Sequence, residues 1–162
     1  PQIFGVWSNT VSCKGFDLSM MFTYKMKYEV RMPSVAGSYG SYKTFDQRWR
    51  KPGDEENTWV PKPLHGSFNY TFQNVVDGSD KQLEKGNMIR LKSVGLAYDF
   101  KRLVKTDVLS ALSLKFSVEN PWFWASNRDG LDVDRLYEST NSTVFYSGKQ
   151  PTYYTFTLNV KF

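Results

Sequence analysis

The chain has 162 residues, of which 17% are aromatic, and a formal net charge of +5. Its length suits one domain, and its mean hydropathy of -0.50 is that of a water-soluble protein. No stretch approaches the roughly 18 consecutive apolar residues of a membrane-spanning helix, so the sequence predicts none. A transmembrane β-barrel remains compatible, because its strands alternate lipid-facing and lumen-facing residues and their mean hydropathy is unremarkable.

The residues that most enzymes and metal sites require are scarce. Cys13 is the only cysteine and His65 the only histidine. This excludes an intrachain disulfide, a multi-histidine zinc site and a relay of two imidazoles. No phosphate-binding P-loop, dinucleotide fingerprint or nucleophile elbow is present. We therefore expect no enzyme, no catalytic or metal-binding residue and no cofactor. The net charge of +5 is compatible with nucleic acid, with anionic lipid or with charge spread over loops, and we expect no nucleic-acid partner.

Two strands are predicted at the start of the chain. Residues 3–13 alternate loosely, with Trp7 and Val11 on one face. Residues 16–30 alternate almost without interruption, which is far longer than the usual strand of about five or six residues. A transmembrane strand needs about 9–11 residues. A tight turn around Lys14-Gly15 joins the two predicted strands.

The next predicted strand, residues 86–100, changes parity along its length. Val94, Leu96 and Tyr98 share one face, whereas Ile89 and Leu91 fall on the other. This predicts either a β-bulge near Lys92-Ser93 or a strand end that rises above the apolar layer. The second alternative places Arg90 and Lys92 on the outer face, where lipid phosphates are found, with ordinary solvated side chains as the favoured alternative.

Two further strands are predicted at residues 110–124 and 152–162. Counting back from the last residue of the chain, every second residue is apolar or aromatic: Phe162, Val160, Leu158, Phe156 and Tyr154. The segments 31–85 and 125–151 are long, whereas the other connections are short. Short and long connections that alternate are typical of an outer-membrane barrel, with its short turns in the periplasm and its long loops outside.

Several stretches resemble one family, the SusC/RagA-type TonB-dependent outer-membrane transporters. These are Arg48-Trp-Arg-Lys-Pro-Gly-Asp54 with Trp59-Val-Pro61, Met88–Tyr98, Leu114–Trp124, Gly130-Leu-Asp132 and Phe156-Thr-Leu-Asn-Val-Lys-Phe162. They occur in the family's order over essentially the whole chain. Pro121 and the Asp132-Val-Asp134 stretch depart from the usual family pattern.

The resemblance implies an all-β fold, an antiparallel transmembrane barrel of about 22 strands, to which residues 1–162 supply about five C-terminal strands. Five strands cannot close a barrel, so the rest of the barrel and its plug must come from elsewhere. The absence of an initiator Met or a leader before Pro1 agrees with a processed chain or a piece of a longer one.

The implied function is import of glycans or oligopeptides across the Gram-negative outer membrane. The implied partners are a SusD-like surface lipoprotein, the TonB complex acting through the plug, the barrel-assembly machinery and outer-membrane lipid. The resemblance assigns the last strand as an assembly signal that also faces lipid, through Tyr154, Phe156, Leu158, Val160 and Phe162.

Candidate contacts with substrate or lipoprotein are aromatic residues of the two long loops. Trp49, Trp59 and Tyr137 could stack on a sugar ring, with packing inside the loops as the ordinary alternative. On the opposite side of the strands, four charged residues are expected to line the polar interior or contact the plug: Lys25, Lys27, Lys115 and Glu119.

Two other classes remain open at this point. One is a complete small barrel of about eight strands, an adhesin or anchor, which needs further strands such as Gly66–Phe72 within the first long loop. The other is a soluble carbohydrate-binding β-sandwich, whose aromatic faces another sheet must cover.

Overall fold

A computed structural model describes residues 1–32, 48–62, 75, 78–104, 108–138 and 144–162. Within them, the strands are β1 (Ile3–Cys13), β2 (Phe16–Met26), β3 (Glu29–Arg31), β4 (Leu83–Lys85), β5 (Met88–Asp99), β6 (Ala111–Ala125), β7 (Leu136–Glu138), β8 (Val144–Tyr146) and β9 (Tyr153–Lys161). Short 3₁₀ helices span Asp54–Glu56, Asp80–Gln82, Phe100–Arg102 and Val133–Arg135. In this part of the chain, no helix has the length and apolar character needed to cross a membrane.

The chain divides into two compact units. The first comprises Pro1–Lys27, Asn87–Ser126 and Gln150–Phe162, and the second comprises Tyr28–Gly86 and Asn127–Lys149. The first unit contains one five-stranded sheet, and the second contains the two-stranded sheets β3–β4 and β7–β8. All described strand pairs are antiparallel, which confirms the predicted all-β antiparallel fold.

The large sheet has the strand order β1-β2-β5-β6-β9, with β1 and β9 at its edges. Lys14 and Gly15 form the turn between β1 and β2, and both have positive φ, 48° and 92°. This is the type I′ geometry that matches the twist of a hairpin. The β1–β2 turn, the β5–β6 connection and the end of β9 lie at one end of the sheet. The chain leaves the sheet for its two long connections at the opposite end.

The second strand is shorter than its sequence pattern predicts. Alternation continues to Val30, but β2 ends at Met26 because Lys27 has a φ of 55°. Beyond this break, Glu29–Arg31 forms β3 and pairs with β4 in the second unit. The predicted strand 16–30 is therefore two strands separated by a sharp backbone turn.

The change of parity in β5 is a β-bulge at Lys92. On β2, Met21 pairs with Ser93 and Phe22 pairs with Leu91, so Lys92 is an extra residue in the ladder. The pairing of β5 with β6 shows the same shift in register, between Leu91 and Ser93 of β5. The first of the two predicted alternatives is confirmed, and the second is wrong for Arg90. Arg90 pairs with Thr23, on the face opposite to Leu91.

Because of the bulge, one face of the sheet is apolar along its whole length. We call this the apolar face; its strand residues include Trp7, Val11, Phe16, Leu18, Met20, Phe22, Tyr24, Ile89, Leu91, Val94, Leu96, Tyr98, Leu112, Leu114, Phe116, Val118, Trp122, Trp124, Tyr154, Phe156, Leu158 and Val160. The opposite, polar face carries Asp17, Lys25, Arg90, Asp99, Lys115, Glu119 and Lys161. In these five strands, the bulge residue Lys92 is the one charged residue outside that set.

The sheet does not bury its apolar face. Among described residues the buried hydrophobic side chains are Met32, Val60, Met88, Val133 and Val144, and only Met88 belongs to the sheet unit. Large side chains of the apolar face stay exposed, for example Trp122 at 51% and Phe156 at 72%. An uncharged apolar surface of this extent marks an interaction with lipid or another apolar partner.

A candidate lipid-facing surface and the loop unit

Aromatic rings contact one another across the strands of the apolar face. The ring centroids are 5.4 Å apart for Trp7–Phe22, 4.2 Å for Phe16–Tyr98 and 4.8 Å for Phe116–Phe156. Cross-strand pairs of this kind stabilise a sheet by about 0.2–1 kcal/mol each. They also fix the register, because a slip by one residue would move every ring to the polar face.

Besides the central Phe116–Phe156 pair, rings lie at both ends of the face. Phe16 and Tyr98 lie near the end with the short turns, whereas Tyr24, Trp122 and Trp124 lie near the other end. The eight residue-to-residue steps from Phe16 to Tyr24 span about 27 Å along the strand at about 3.4 Å per step. A barrel strand tilted by about 40° would thus separate the two groups by about 21 Å, close to the apolar band between the aromatic girdles of outer-membrane barrels.

The last strand lies at the edge of the sheet and is exposed throughout. The exposed fractions are 68% for Tyr154, 72% for Phe156, 64% for Leu158, 38% for Val160 and 88% for Phe162. The first four lie on the apolar face opposite β6. The chain end is held by the backbone N–H of Ser110, which donates to the Lys161 carbonyl over 2.7 Å. Tyr154 and Phe162 thus lie toward opposite ends of this strand.

The polar face holds three of the four charged residues predicted to face inward. Lys25, Lys115 and Glu119 lie in register on this face. Lys27 does not, because it follows the end of β2, where its backbone N–H donates to Asn87 Oδ1 over 2.8 Å. The polar face mixes cations and anions, and this mixture suits a water-filled or protein-filled interior better than hydrocarbon.

In the second unit, two carboxylates organise the Arg48–Asp54 stretch into a compact turn. Asp54 Oδ2 accepts from the backbone N–H groups of Arg50 and Lys51, at 2.9 and 3.0 Å. Glu55 Oε2 accepts from the Trp49 indole N–H at 2.8 Å and from the Gly53 backbone at 2.9 Å. Gly53 has a φ of 97°, a conformation that favours glycine. The Arg48–Asp54 stretch therefore forms a turn that hydrogen bonds within the stretch and to Glu55 hold together.

This turn depends on the ionisation of Asp54. The backbone N–H groups of Arg50 and Lys51 hold the pKa of the Asp54 carboxyl below its ordinary value. A lowered folded-state pKa means that the stabilisation is fully present above the ordinary carboxyl value and is lost as the pH falls through the lowered value. We expect Asp54→Asn to remove the Asp54 contribution to this pH dependence, while the Glu55 carboxyl, whose pKa the Trp49 indole N–H lowers, still contributes. The same substitution should speed trypsin cleavage after Arg48 and Arg50 at neutral pH.

The measurement is the rate of limited trypsin cleavage at neutral pH, together with tryptophan fluorescence between pH 7 and pH 3. The matched control is Glu56→Gln, which neutralises an exposed carboxylate two residues away. Equal cleavage rates and equal pH profiles for the two variants would contradict the role given to Asp54.

A second cluster joins the two sequence segments of this unit. Arg128 Nη2 lies 2.7 Å from Glu84 Oε1, and the Arg128 backbone N–H donates to Glu84 Oε2 over 2.6 Å. The Arg128 guanidinium also lies 5.7 Å from the ring centroid of Trp59. Planar guanidinium groups favour this combination of carboxylate and aromatic contact. Sequence reasoning did not find Arg128 or Glu84, because the two lie 44 residues apart and no motif links them.

The loop that follows β6 is closed on itself. The Asn127 side chain donates to the Leu131 carbonyl over 2.8 Å and accepts from the Leu131 N–H over 2.7 Å. Gly130 lies within this loop with a φ of 62°. Asp132, fully buried, begins the next 3₁₀ helix by accepting from the Asp134 N–H over 3.1 Å. Among described residues, no group of His, Cys, Asp and Glu side chains is arranged to hold a metal ion.

The three aromatic loop candidates have different surroundings. The Trp49 indole is hydrogen-bonded to Glu55, and the Trp59 ring contacts Arg128, so both have structural contacts within the unit. Tyr137 stacks on Phe145 with 5.4 Å between centroids and remains 56% exposed, so it has the most surface for a ligand. His65 and the strand-like stretch Gly66–Phe72 lie outside the described residues.

No protein-family model and no curated protein matches this sequence. Solved structures share its fold, and three RagAB structures are among them. The RagAB peptide importer in the "open-open" state aligns with a TM-score of 0.62 and 18% identity over 98% of this chain, which is 17% of that chain. The RagAB peptide transporter aligns with a TM-score of 0.51 and 18% sequence identity. The importer in the "closed-closed" state aligns with a TM-score of 0.52 and 16% sequence identity. Each of these two alignments covers 76% of this chain and 14% of the other chain. The chain thus spans about a sixth of the length of the first structure.

Proposed function

We propose that this chain is a C-terminal portion of a TonB-dependent transporter barrel in the Gram-negative outer membrane. The carrying observation is the five-stranded antiparallel sheet with one uncharged, exposed apolar face and one polar face. Lipid covers the apolar face in this account, and the transporter interior covers the polar face. The fold shared with the RagAB structures supports a place within a much longer transporter chain.

The edges of the sheet support the same proposal. Among the described strands, β1 pairs with β2 alone and β9 with β6 alone, so each presents an outer row of backbone groups. In hydrocarbon an unsatisfied backbone group costs several kcal/mol, so these edges require further strands. A barrel of about 22 strands with a plug supplies them. The further strands and the plug are partners of this segment in the proposed assembly.

The proposed cargo is an oligopeptide or a glycan, captured with a SusD-like surface lipoprotein and imported with energy from the TonB complex through the plug. The peptide alternative has one additional support, since the aligned structures are of a peptide importer. In this proposal, Tyr137 and its stacking partner Phe145 are the described aromatic pair available for cargo or lipoprotein contact. The segment itself carries no catalytic role.

Membrane fractionation followed by denaturing mass spectrometry tests this proposal. We expect the protein in the outer-membrane fraction, extracted by detergent alone, with peptides that map to a plug and further strands in the same complex. A single folded 18.8 kDa species in detergent would instead indicate a small self-closed barrel. The same species soluble without detergent would indicate a β-sandwich, and either result would overturn the proposal.

A further inference from the structure

Lys92 occupies an unusual position in the sheet. It is the extra residue of the β5 bulge, and it lies between Leu91 of the apolar face and Ser93 of the polar face. Its Nζ donates to Asn120 Oδ1 over 3.1 Å. An ammonium group has three donors, so this bond orients the Lys92 head group and uses one of them.

The partner of Lys92 is itself firmly held. Asn120 has a φ of 51°, a conformation that Asn tolerates better than most residues. Its Nδ2 donates to the Pro151 carbonyl over 3.3 Å, and its carbonyl accepts from Thr152 Oγ1 over 3.1 Å. The ammonium group is thus fixed to a framework that joins β5, β6 and the residues just before β9.

Aromatic side chains lie at the same end of the sheet. Trp122 is 51% exposed, Trp124 is 45% exposed and Tyr154 is 68% exposed, and all three belong to the apolar face. Tryptophan and tyrosine concentrate at the level of lipid head groups. A lysine near this level extends its charge toward the interface, where an anionic head group compensates it.

We propose that Lys92, positioned by Asn120 at the same end of the sheet as Trp122 and Tyr154, binds the phosphate group of an anionic lipid at the outer edge of the apolar face. The inference rests on the proposed function, because it requires that the apolar face meet lipid. Lys92 provides the charge, the bulge brings it out of the polar face, and the aromatic rings contact the upper part of the acyl chains.

The test uses the purified protein in detergent with everything that co-purifies with it. Native mass spectrometry would measure retention of phosphatidylglycerol and of phosphatidylethanolamine by the wild type, Lys92→Met and Lys115→Met. Lys92→Met keeps an unbranched side chain in the bulge and removes its charge, and Lys115→Met removes a charge from the polar face. We expect about fivefold weaker retention of phosphatidylglycerol for Lys92→Met. Lys115→Met should retain phosphatidylglycerol as the wild type does. Retention of phosphatidylethanolamine should be the same for all three proteins.

Equal retention of phosphatidylglycerol by wild type and Lys92→Met would overturn the inference. So would displacement of the lipid by inorganic phosphate alone, because the site would then bind free phosphate. Both results leave the proposed function intact when the protein still requires detergent. A protein that is soluble without detergent would refute the proposed function itself.

Discussion

Leu96→Arg is expected to destabilise the membrane-inserted protein by about 2–4 kcal/mol, the cost of an arginine at the lipid-facing midplane of a barrel. Leu96 lies midway along the apolar face, where it pairs with Leu18 and Phe116. It is already 45% exposed in the isolated sheet, so loss of packing explains only part of the expected effect. The measurement is the free energy of unfolding in lipid vesicles by urea titration.

Thr157→Arg is the matched control for this substitution. Thr157 is exposed and lies on the polar face, where its partner in β6 is Lys115. We expect it to change the free energy of unfolding by less than about 1 kcal/mol, because the polar side of a barrel wall tolerates charge. Equal destabilisation by the two arginines would indicate that lipid does not cover the apolar face.

Deletion of Ala97 is expected to lower assembly of the sheet in the membrane strongly. Leu96 and Tyr98 share the apolar face on either side of Ala97, so without this residue one of them must reverse its face. Either Asp99 then faces lipid, or Val94 and Leu96 face the polar side. The measurement is the folded fraction in isolated outer membranes, read from resistance to unfolding in detergent on a gel.

Deletion of Lys92 is the matched control for this deletion. Because Lys92 is the extra residue of the bulge, its removal leaves Leu91 opposite Phe22 and Ser93 opposite Met21, and no side chain changes its face. We therefore expect near-normal assembly, and an equal loss of assembly by the two deletions would refute the assignment of Lys92 as the extra residue.

The alternation of apolar and polar residues predicts most of the fold. It located the long strands of the sheet because a period of two is read directly from residues such as Phe156, Leu158 and Val160. It could not decide between a bulge and a strand end in β5, since both explain the parity of Leu91 and Val94. The alternation also predicts a strand that continues to Val30, because the residue types around Lys27 do not indicate its positive φ.

The loop unit could be predicted much less well. Trp49 and Trp59 looked like stacking residues, because composition shows the rings but not their partners. Glu55 and Arg128 are those partners, and the Arg128–Glu84 pair forms only once distant segments meet. The sequence pattern predicts a lipid contact for Lys92 from a strand end that rises above the apolar layer, whereas the structure places this residue in a bulge. The bulge and the bond to Asn120 are features of the folded sheet.

The most direct test of a lipid-facing sheet is the accessibility of nitroxide spin labels placed one at a time along β9, in a Cys13→Ser background. We predict that labels at residues 154, 156, 158 and 160 relax with oxygen dissolved in lipid and are shielded from a water-soluble nickel chelate. Labels at residues 155, 157 and 159 should be shielded from lipid oxygen. Accessibility to the nickel chelate on both faces, with no alternation along the strand, would contradict the account.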